Sequence, residues 1–361
     1  MLRQIARLGR AVPSAGGRAI AVAVYADAMD QPLEAREAGY EGVACVDDAA
    51  RALELYCGLW DTTRLPWARR WCEGLLDFVL SMQEPDGRWV NFILDWDGTP
   101  NRDGRTSAAG GGFWQARALS AVARASRSFA DERIDSALDR GWRHAVLATD
   151  VAADVRALHV VTAITLLEGN DDQALRKLLA TWGEELMTCR HGDMLMNSSY
   201  EGSRPHLWGH IQEGVLAAAG ALLDRDDFVA TARRSAELVF MGVVKEGFDL
   251  PRTQPYDVAS TVYVMTRLAD VTGAPEYAAL AAAARSWFDG RNAAGRPVYN
   301  RTAGRVADGV DGRRVSANSG AEANIAGAQA LFDDATTLAR TLSPSDALPV
   351  AEGDPATESV R

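Results

Sequence analysis

The chain is expected to fold as an all-α toroid, an (α/α)6 arrangement of about twelve helices with a small β-hairpin on its rim. Three observations lead there. Amphipathic helical stretches recur along most of the 361 residues. They are joined alternately by short and longer connections, as in helical hairpins. No repeat of fixed length is visible, which argues against an open solenoid and for closure into two concentric rings.

The chain opens with basic residues followed by the apolar run Ala19 to Tyr25. That run is too short to span a membrane and is read as part of the folded protein rather than a signal segment, so no membrane partner and a cytoplasmic location are expected. After Asp48, residues Ala49, Ala52, Leu53, Tyr56 and Trp60 recur at helical spacing. Trp67, Trp71, Leu75, Phe78 and Met82 repeat the pattern beyond the connection from Thr62 to Pro66, which defines a first hairpin. Comparable stretches begin near Phe113, Asp131, Val151, Asp171, Leu207, Asp226, Tyr256, Pro275 and Asn318, and one more near the N-terminus would complete the set. The clearest strand is Arg88 to Leu94, with Asp97-Gly98 as its turn. A single toroid domain is expected over residues 1–342, of which 1–38 is the part that periodicity defines least. The aperiodic segment from Ser343 to Arg361 reads as a disordered tail.

Forty-nine acids against 38 bases give a formal net charge of −11. This disfavours nucleic acid, whose binding depends on a basic surface, and suits a neutral or sparsely charged substrate. The cysteines Cys45, Cys57, Cys72 and Cys189 lie far apart without a C-x-x-C pair and are read as reduced thiols. His206, His210 and Glu213 have a spacing that permits metal ligation, but no H-E-x-x-H pattern is present. No metal and no cofactor are expected. His159 sits among apolar neighbours and reads as a core histidine.

Three constellations could carry chemistry. In the first, Gly39-Tyr40-Glu41-Gly42 precedes Val46-Asp47-Asp48-Ala49-Ala50-Arg51, a carboxylate pair at a helix start. Asp47 could simply cap the helix and Asp48 pair with Arg51, or the pair could do acid–base work at the mouth of a funnel. In the second, Gln83 to Phe92 contains Pro85-Asp86-Gly87, a turn that could present Trp89 or Asn91 to a ligand. In the third, a long loop through Arg291 and Asn292 leads to Asn318-Ser319-Gly320-Ala321-Glu322, where Ser319 and Glu322 satisfy the capping-box pattern or Glu322 serves a cleft. Trp208, His210, Tyr256 and Asp257 could line the same face.

Together, GYEG…VDDAARAL, QEPDGRWVNF and WFDGRN…VYN…DG…NSGAEAN resemble the six-hairpin glycosidase-like region that accompanies, or is fused to, bacterial glycosyltransferases. The resemblance runs from about Gly39 to Leu331. It implies a toroid that handles carbohydrate, an oligosaccharide or polysaccharide substrate, and a separately encoded glycosyltransferase as partner. The chain departs from the family pattern at Ala49, Ser319 and Ala323, where members often carry Asn, Gln and Ser.

The reading that follows is a glycoside hydrolase in which Asp47 or Asp48 and Glu322 flank the scissile bond. Two adjacent aspartates repel, which suits one of them to an acid role. Trp89, Trp208 and Tyr256 would stack on sugar, while Arg51, Asn91, His210, Asp257, Arg291, Asn292 and Asn318 would bond hydroxyls, together with Tyr40. Two alternatives differ in class. Q-x-P-D-G-x-W and Cys45-Val46-Asp47-Asp48 resemble triterpene cyclase motifs, with Asp47 as the proton donor. A non-catalytic glycan-binding domain is the other, and a polysaccharide lyase on the same toroid is a further variant.

Overall fold

In a computed structural model describing residues 1–14, 17–29, 31–33, 41–199 and 202–349, these stretches resolve into two nested helical rings. The chain enters through α1 (Leu2–Leu8) and the hairpin β1 (Gly9–Ser14) and β2 (Gly17–Val22), then β3 (Ala44–Cys45) leads into α2 (Val46–Thr63) and α3 (Pro66–Ser81). Next come β4 (Phe92–Ile93), α4 (Gly112–Ser126), α5 (Glu132–Leu147), α6 (Ala153–Leu167), α7 (Gln173–Thr188), β5 (Arg190–His191) and β6 (Met194–Leu195). The second half holds α8 (Gln212–Leu223), α9 (Asp226–Val239), α10 (Met241–Lys245), β7 (Arg252–Thr253), α11 (Pro255–Thr272) and α12 (Pro275–Arg285). Last are β8 (Tyr299–Asn300), β9 (Arg305–Val306), β10 (Val310–Asp311), β11 (Arg314–Val315), α13 (Ala321–Ala330), α14 (Phe332–Ala339) and α15 (Pro344–Ala347).

Helices α2, α4, α6, α8, α11 and α13 each pack on the next, and α13 returns to α2, so the inner ring is closed. Helices α3, α5, α7, α9 and α12 lie outside the inner helix that precedes each, while α1 and α14 cover α13. Burial explains the sorting. The outer helix α5 buries only Ile134, Ala137, Gly141 and Ala145, a single stripe, whereas α13 buries eight of its ten residues, mostly Ala. A helix apolar on all sides belongs inside, and small side chains let its neighbours approach.

Inner helices pass to outer ones through short links such as Arg64-Leu65, Asp224-Arg225 and Gly273-Ala274. The long loops all lead from an outer helix back to an inner one. The inner-helix N-termini therefore share one face with the long loops, which build its rim. One rim element is a three-stranded antiparallel sheet in the order β11-β10-β7.

Several expectations are corrected. The Arg88–Leu94 strand shrinks to Phe92–Ile93 and pairs with Ala44–Cys45, although Ile93 also bridges Pro100 across the Asp97-Gly98 turn. The β1–β2 hairpin was not anticipated; its β-branched Val12, Ile20 and Val22 are scattered among small residues. The segment from Ser343 does not begin as a free tail. Ala347 is buried and its carbonyl accepts a hydrogen bond from Trp71 Nε1 at 2.6 Å, with Trp71 stacked on Tyr56 at 4.7 Å. The rest of the expected tail, 350–361, lies outside the described residues. Among the described residues no helix is long and apolar enough to cross a membrane.

Within the Gly-Tyr-Glu-Gly motif, the described residues Glu41 and Gly42 have a structural use in this frame. Glu41 Oε2 accepts hydrogen bonds from Thr106 N and Oγ1 at 2.6 and 2.7 Å, and a Cβ on Gly42 would sit 2.1 Å from the Ile93 carbonyl oxygen. That neighbour is backbone and cannot swing aside. Gly42→Ala is expected to destabilise the fold by about 1–3 kcal/mol, as typical overpacking does, read as a lowered urea midpoint at unchanged m.

Candidate functional site

The carboxylate pair opens α2, but Asp47 does not cap it. Cys45 is the cap, its Sγ accepting the Asp48 N–H at 3.4 Å, while Asn91 Oδ1 accepts the Asp47 N–H at 3.1 Å. Both carboxylates are thus released to meet Arg51 one turn on. Arg51 Nη2 donates to Asp48 Oδ1 at 2.5 Å and to Asp47 Oδ2 at 3.3 Å. Its Nη1 donates to Glu322 Oε1 at 2.9 Å. A second arginine, Arg117 on α4, forms an ion pair with Asp47 and donates to the Tyr256 hydroxyl at 2.9 Å. Its guanidinium lies 5.0, 5.1 and 5.3 Å from the ring centres of Phe113, Trp208 and Tyr256, a cation–π box.

The capping box at α13 does not form. Gly320 is the cap, Ser319 Oγ donates to the Val306 carbonyl at 2.7 Å, and Glu322 instead accepts from Arg51 and from Trp208 Nε1 at 3.0 Å. The structure therefore brings Asp47, Asp48 and Glu322 together around one guanidinium, although 271 residues separate Arg51 from Glu322. They line a cavity of about 360 Å3 with Asn91, Trp208, Tyr256 and Asn318. Glu322 is the most open of the three, its side chain 36% exposed against 16% for Asp47 and 3% for Asp48.

Electrostatics distinguish the acids. Burial pushes Asp48 up to about 6 against the opposing pull of Arg51, with Glu322 and Asp47 adding to the rise. Asp257 is also pushed to about 6, first by burial, and Asp308 is raised for the same reason; the charge of Glu322 contributes to both. Glu322 is thus a common negative neighbour of three acids inclined to hold protons.

Other expected residues lie elsewhere. Tyr40 falls outside the described residues. Trp89 is completely buried, its Nε1–H donating to the Val79 carbonyl at 2.9 Å, so it packs in the core and offers no stacking face. His210 is completely buried as well, between Asn197 Oδ1 at 3.1 Å and Glu213 Oε1 at 3.0 Å; that network satisfies both ring nitrogens away from the cleft. Arg291 and Asn292 border a separate depression with Lys245 and Asp249, and Asn292 Nδ2 is spent on the Trp287 and Arg296 carbonyls. Asp257 does not line the cleft and completes a true capping box with Gln254, whose N–H it accepts at 2.7 Å.

Sequence reasoning missed Arg117 and the cleft residues Tyr25, Arg252 and Ser316, and it read Asp308 only as part of the Asp-Gly motif, with no role of its own. Arg117 had a readable signal, since a lone arginine in the Ala-rich run Phe113 to Val122 has to be buried and so needs a counter-charge. Arg252, Asp308 and Ser316 reach the cleft through the rim sheet, whose register no local pattern encodes.

No protein-family model matches the sequence, and no curated protein matches it. Solved structures do match the fold. Cellobiose 2-epimerase from Spirochaeta thermophila aligns with TM-score 0.64 at 13% identity, over 82% of this chain and 87% of its own. D-mannose isomerase gives 0.68 at 8% identity over 94% and 96%. A family 76 glycoside hydrolase from a bovine Bacteroides thetaiotaomicron strain gives 0.59 at 9% identity over 83% and 70%. At such identities the likeness is one of fold, and the chain adopts the (α/α)6 toroid.

The buried acids make stability depend on pH with a definite sign. A carboxyl whose folded pKa is raised stabilises fully below its unfolded value near 4, and that contribution is lost as pH climbs through about 6. Urea unfolding across this window should show stability falling with pH, and a shallower fall in Asp48→Asn. An equal slope in both proteins would contradict the assignment.

Proposed function

We propose that the chain is a carbohydrate-processing enzyme, and specifically a glycoside hydrolase in which Asp48 gives a proton to the departing glycosidic oxygen and Glu322 serves the anomeric carbon. The observation that carries this reading is the pairing of Asp48 and Glu322 on one guanidinium beside an open cavity. That shared partner keeps the two carboxyls within the roughly 9.5 Å over which such pairs act. Asp48, raised to about 6, holds its proton in mildly acid solution. Glu322, the more exposed of the two, either takes a proton from water as that water attacks or attacks directly; the anomeric configuration of the first product tells which. Trp208 and Tyr256 supply aromatic wall, and Asn91 and Asn318 supply amide groups. The likeness to the family 76 hydrolase supports a glycan substrate, and the motif resemblance extends the proposal to work alongside a separately encoded glycosyltransferase. The four free cysteines suit a reducing, cytoplasmic setting.

A second reading has its own support. The sugar isomerase aligns over 94% of the chain and the hydrolase over 83%. On that reading Glu322 removes a proton beside the carbonyl of an open-chain sugar. The cyclase alternative loses its footing, because Asp47, its proton donor, is held as an ion pair by two arginines, and Arg51, Arg252, Asp308 and Glu322 put further charge on a wall that would have to enclose an apolar substrate.

Incubation with neutral oligosaccharides separates the readings. Hydrolysis releases new reducing ends; isomerisation or epimerisation changes the sugar without releasing any. Glu322→Gln and Asp48→Asn are each expected to lower kcat at least 100-fold, consistent with loss of an acid or base. Wild-type kcat should fall above about pH 6 as Asp48 loses its proton. Full activity in both variants would overturn the assignment.

A further inference from the structure

The cleft is not the larger opening of the ring. Along α2, Asp47 and Asp48 face the cleft, Arg51 lines both the cleft and a second cavity, and Glu54 one turn further on borders the second but not the cleft. That second cavity, about 670 Å3, lies in the direction of the inner-helix C-termini, and Tyr256 borders both as well. Nothing in the proposed reaction uses it.

We infer that this second cavity is a binding site for a neutral polyhydroxylated ligand of one or two sugar rings. Its lining is of two kinds. Leu158, Val161, Ile211 and Val262 give an apolar wall, suited to the C–H face of a ring. On the same cavity's wall, Glu54 and Gln329 present acceptors. Ser120 Oγ donates to Glu54 Oε1 at 2.6 Å, and Gln329 Nε2 donates to the Arg51 carbonyl at 3.3 Å, which leaves Glu54 Oε2 and Gln329 Oε1 without a protein donor among the described residues. Ligand hydroxyls are the complementary donors.

Charge argues for neutrality. Arg51 is held by three carboxylates, Arg285 bonds the Ala330 carbonyl and Thr266, and Arg267 lies over the Tyr263 ring, so the arginines around the cavity are already engaged. An anionic ligand would meet Glu54, Asp333 and Asp334, and a cationic one would meet those arginines. The volume lies within the ordinary range for small-molecule sites. Burial also raises the Glu54 carboxyl, which fits a group that gains from a hydroxyl partner.

Calorimetric titration of the full chain with D-mannose, cellobiose and glucuronate tests this. Cellobiose or mannose should show a binding event that weakens at least tenfold in Glu54→Leu and disappears in Val161→Trp, which fills the apolar wall. Glu54→Gln keeps an acceptor and should bind within threefold of wild type. Glu54→Leu preserves volume and removes a desolvated carboxyl, so it should fold, as circular dichroism would verify. Binding unchanged in Glu54→Leu and Val161→Trp, glucuronate as the preferred ligand, or no saccharide binding that these variants affect would each overturn the inference. The hydrolase reading is judged separately at Asp48 and Glu322, because its failure leaves this binding event in place.

Discussion

Arg51 carries a charge into the centre of the ring, and much of the structure is arranged around it. Removing a guanidinium from water costs several kcal/mol unless it is paired and hydrogen-bonded. Here the pairing comes from both ends of the chain: Asp47 and Asp48 on its own helix, and Glu322 from α13. The α2–α13 contact is also the seam at which the ring closes. One side chain thus joins the first inner helix to the last and fixes where the carboxylates of the cleft stand. Gln329 Nε2 on α13, bonded to the Arg51 carbonyl, fastens the same seam a second time.

The cluster has a built-in charge preference. Two guanidinium groups, Arg51 and Arg117, face the three carboxylates of Asp47, Asp48 and Glu322. With all three ionised one negative charge is in excess, and a single proton removes it. Asp48 is the group placed to accept that proton, since it is the most buried of the three. Desolvation and charge balance therefore act in the same direction on one residue, whereas Glu322 stays where solvent and ligand can reach it.

Much of the helical framework was legible in the chain, because amphipathic periodicity is a local property. Ten of the eleven helix starts read from Asp48 onward fall within about three residues of the observed ones; the α8 start near Leu207 is early by five, since Trp208 and His210 belong to the preceding turn. The site was legible in its acids but less so in its wall. Trp89 and His210 look like ligand-facing groups in a sequence, yet each finds its polar partners inside the protein. Arg291 and Asn292 follow a short helical turn whose backbone takes up the Asn292 amide. Asp308 and Arg252, by contrast, become cleft residues only through strand pairing between segments more than fifty residues apart.

The three departures from the glycosidase-like motif also take on different weights. Ala49 is wholly buried, and so is Ser319, whose hydroxyl is engaged with the Val306 carbonyl and the Asn324 amide. Neither borders the cleft, so neither exchange strips a polar group from its wall. Ala323 does border it, next to Glu322. Measured against the motif, the chain therefore lacks at most one hydroxyl beside its most exposed carboxylate, and the Arg51-centred cluster of acids does not depend on it.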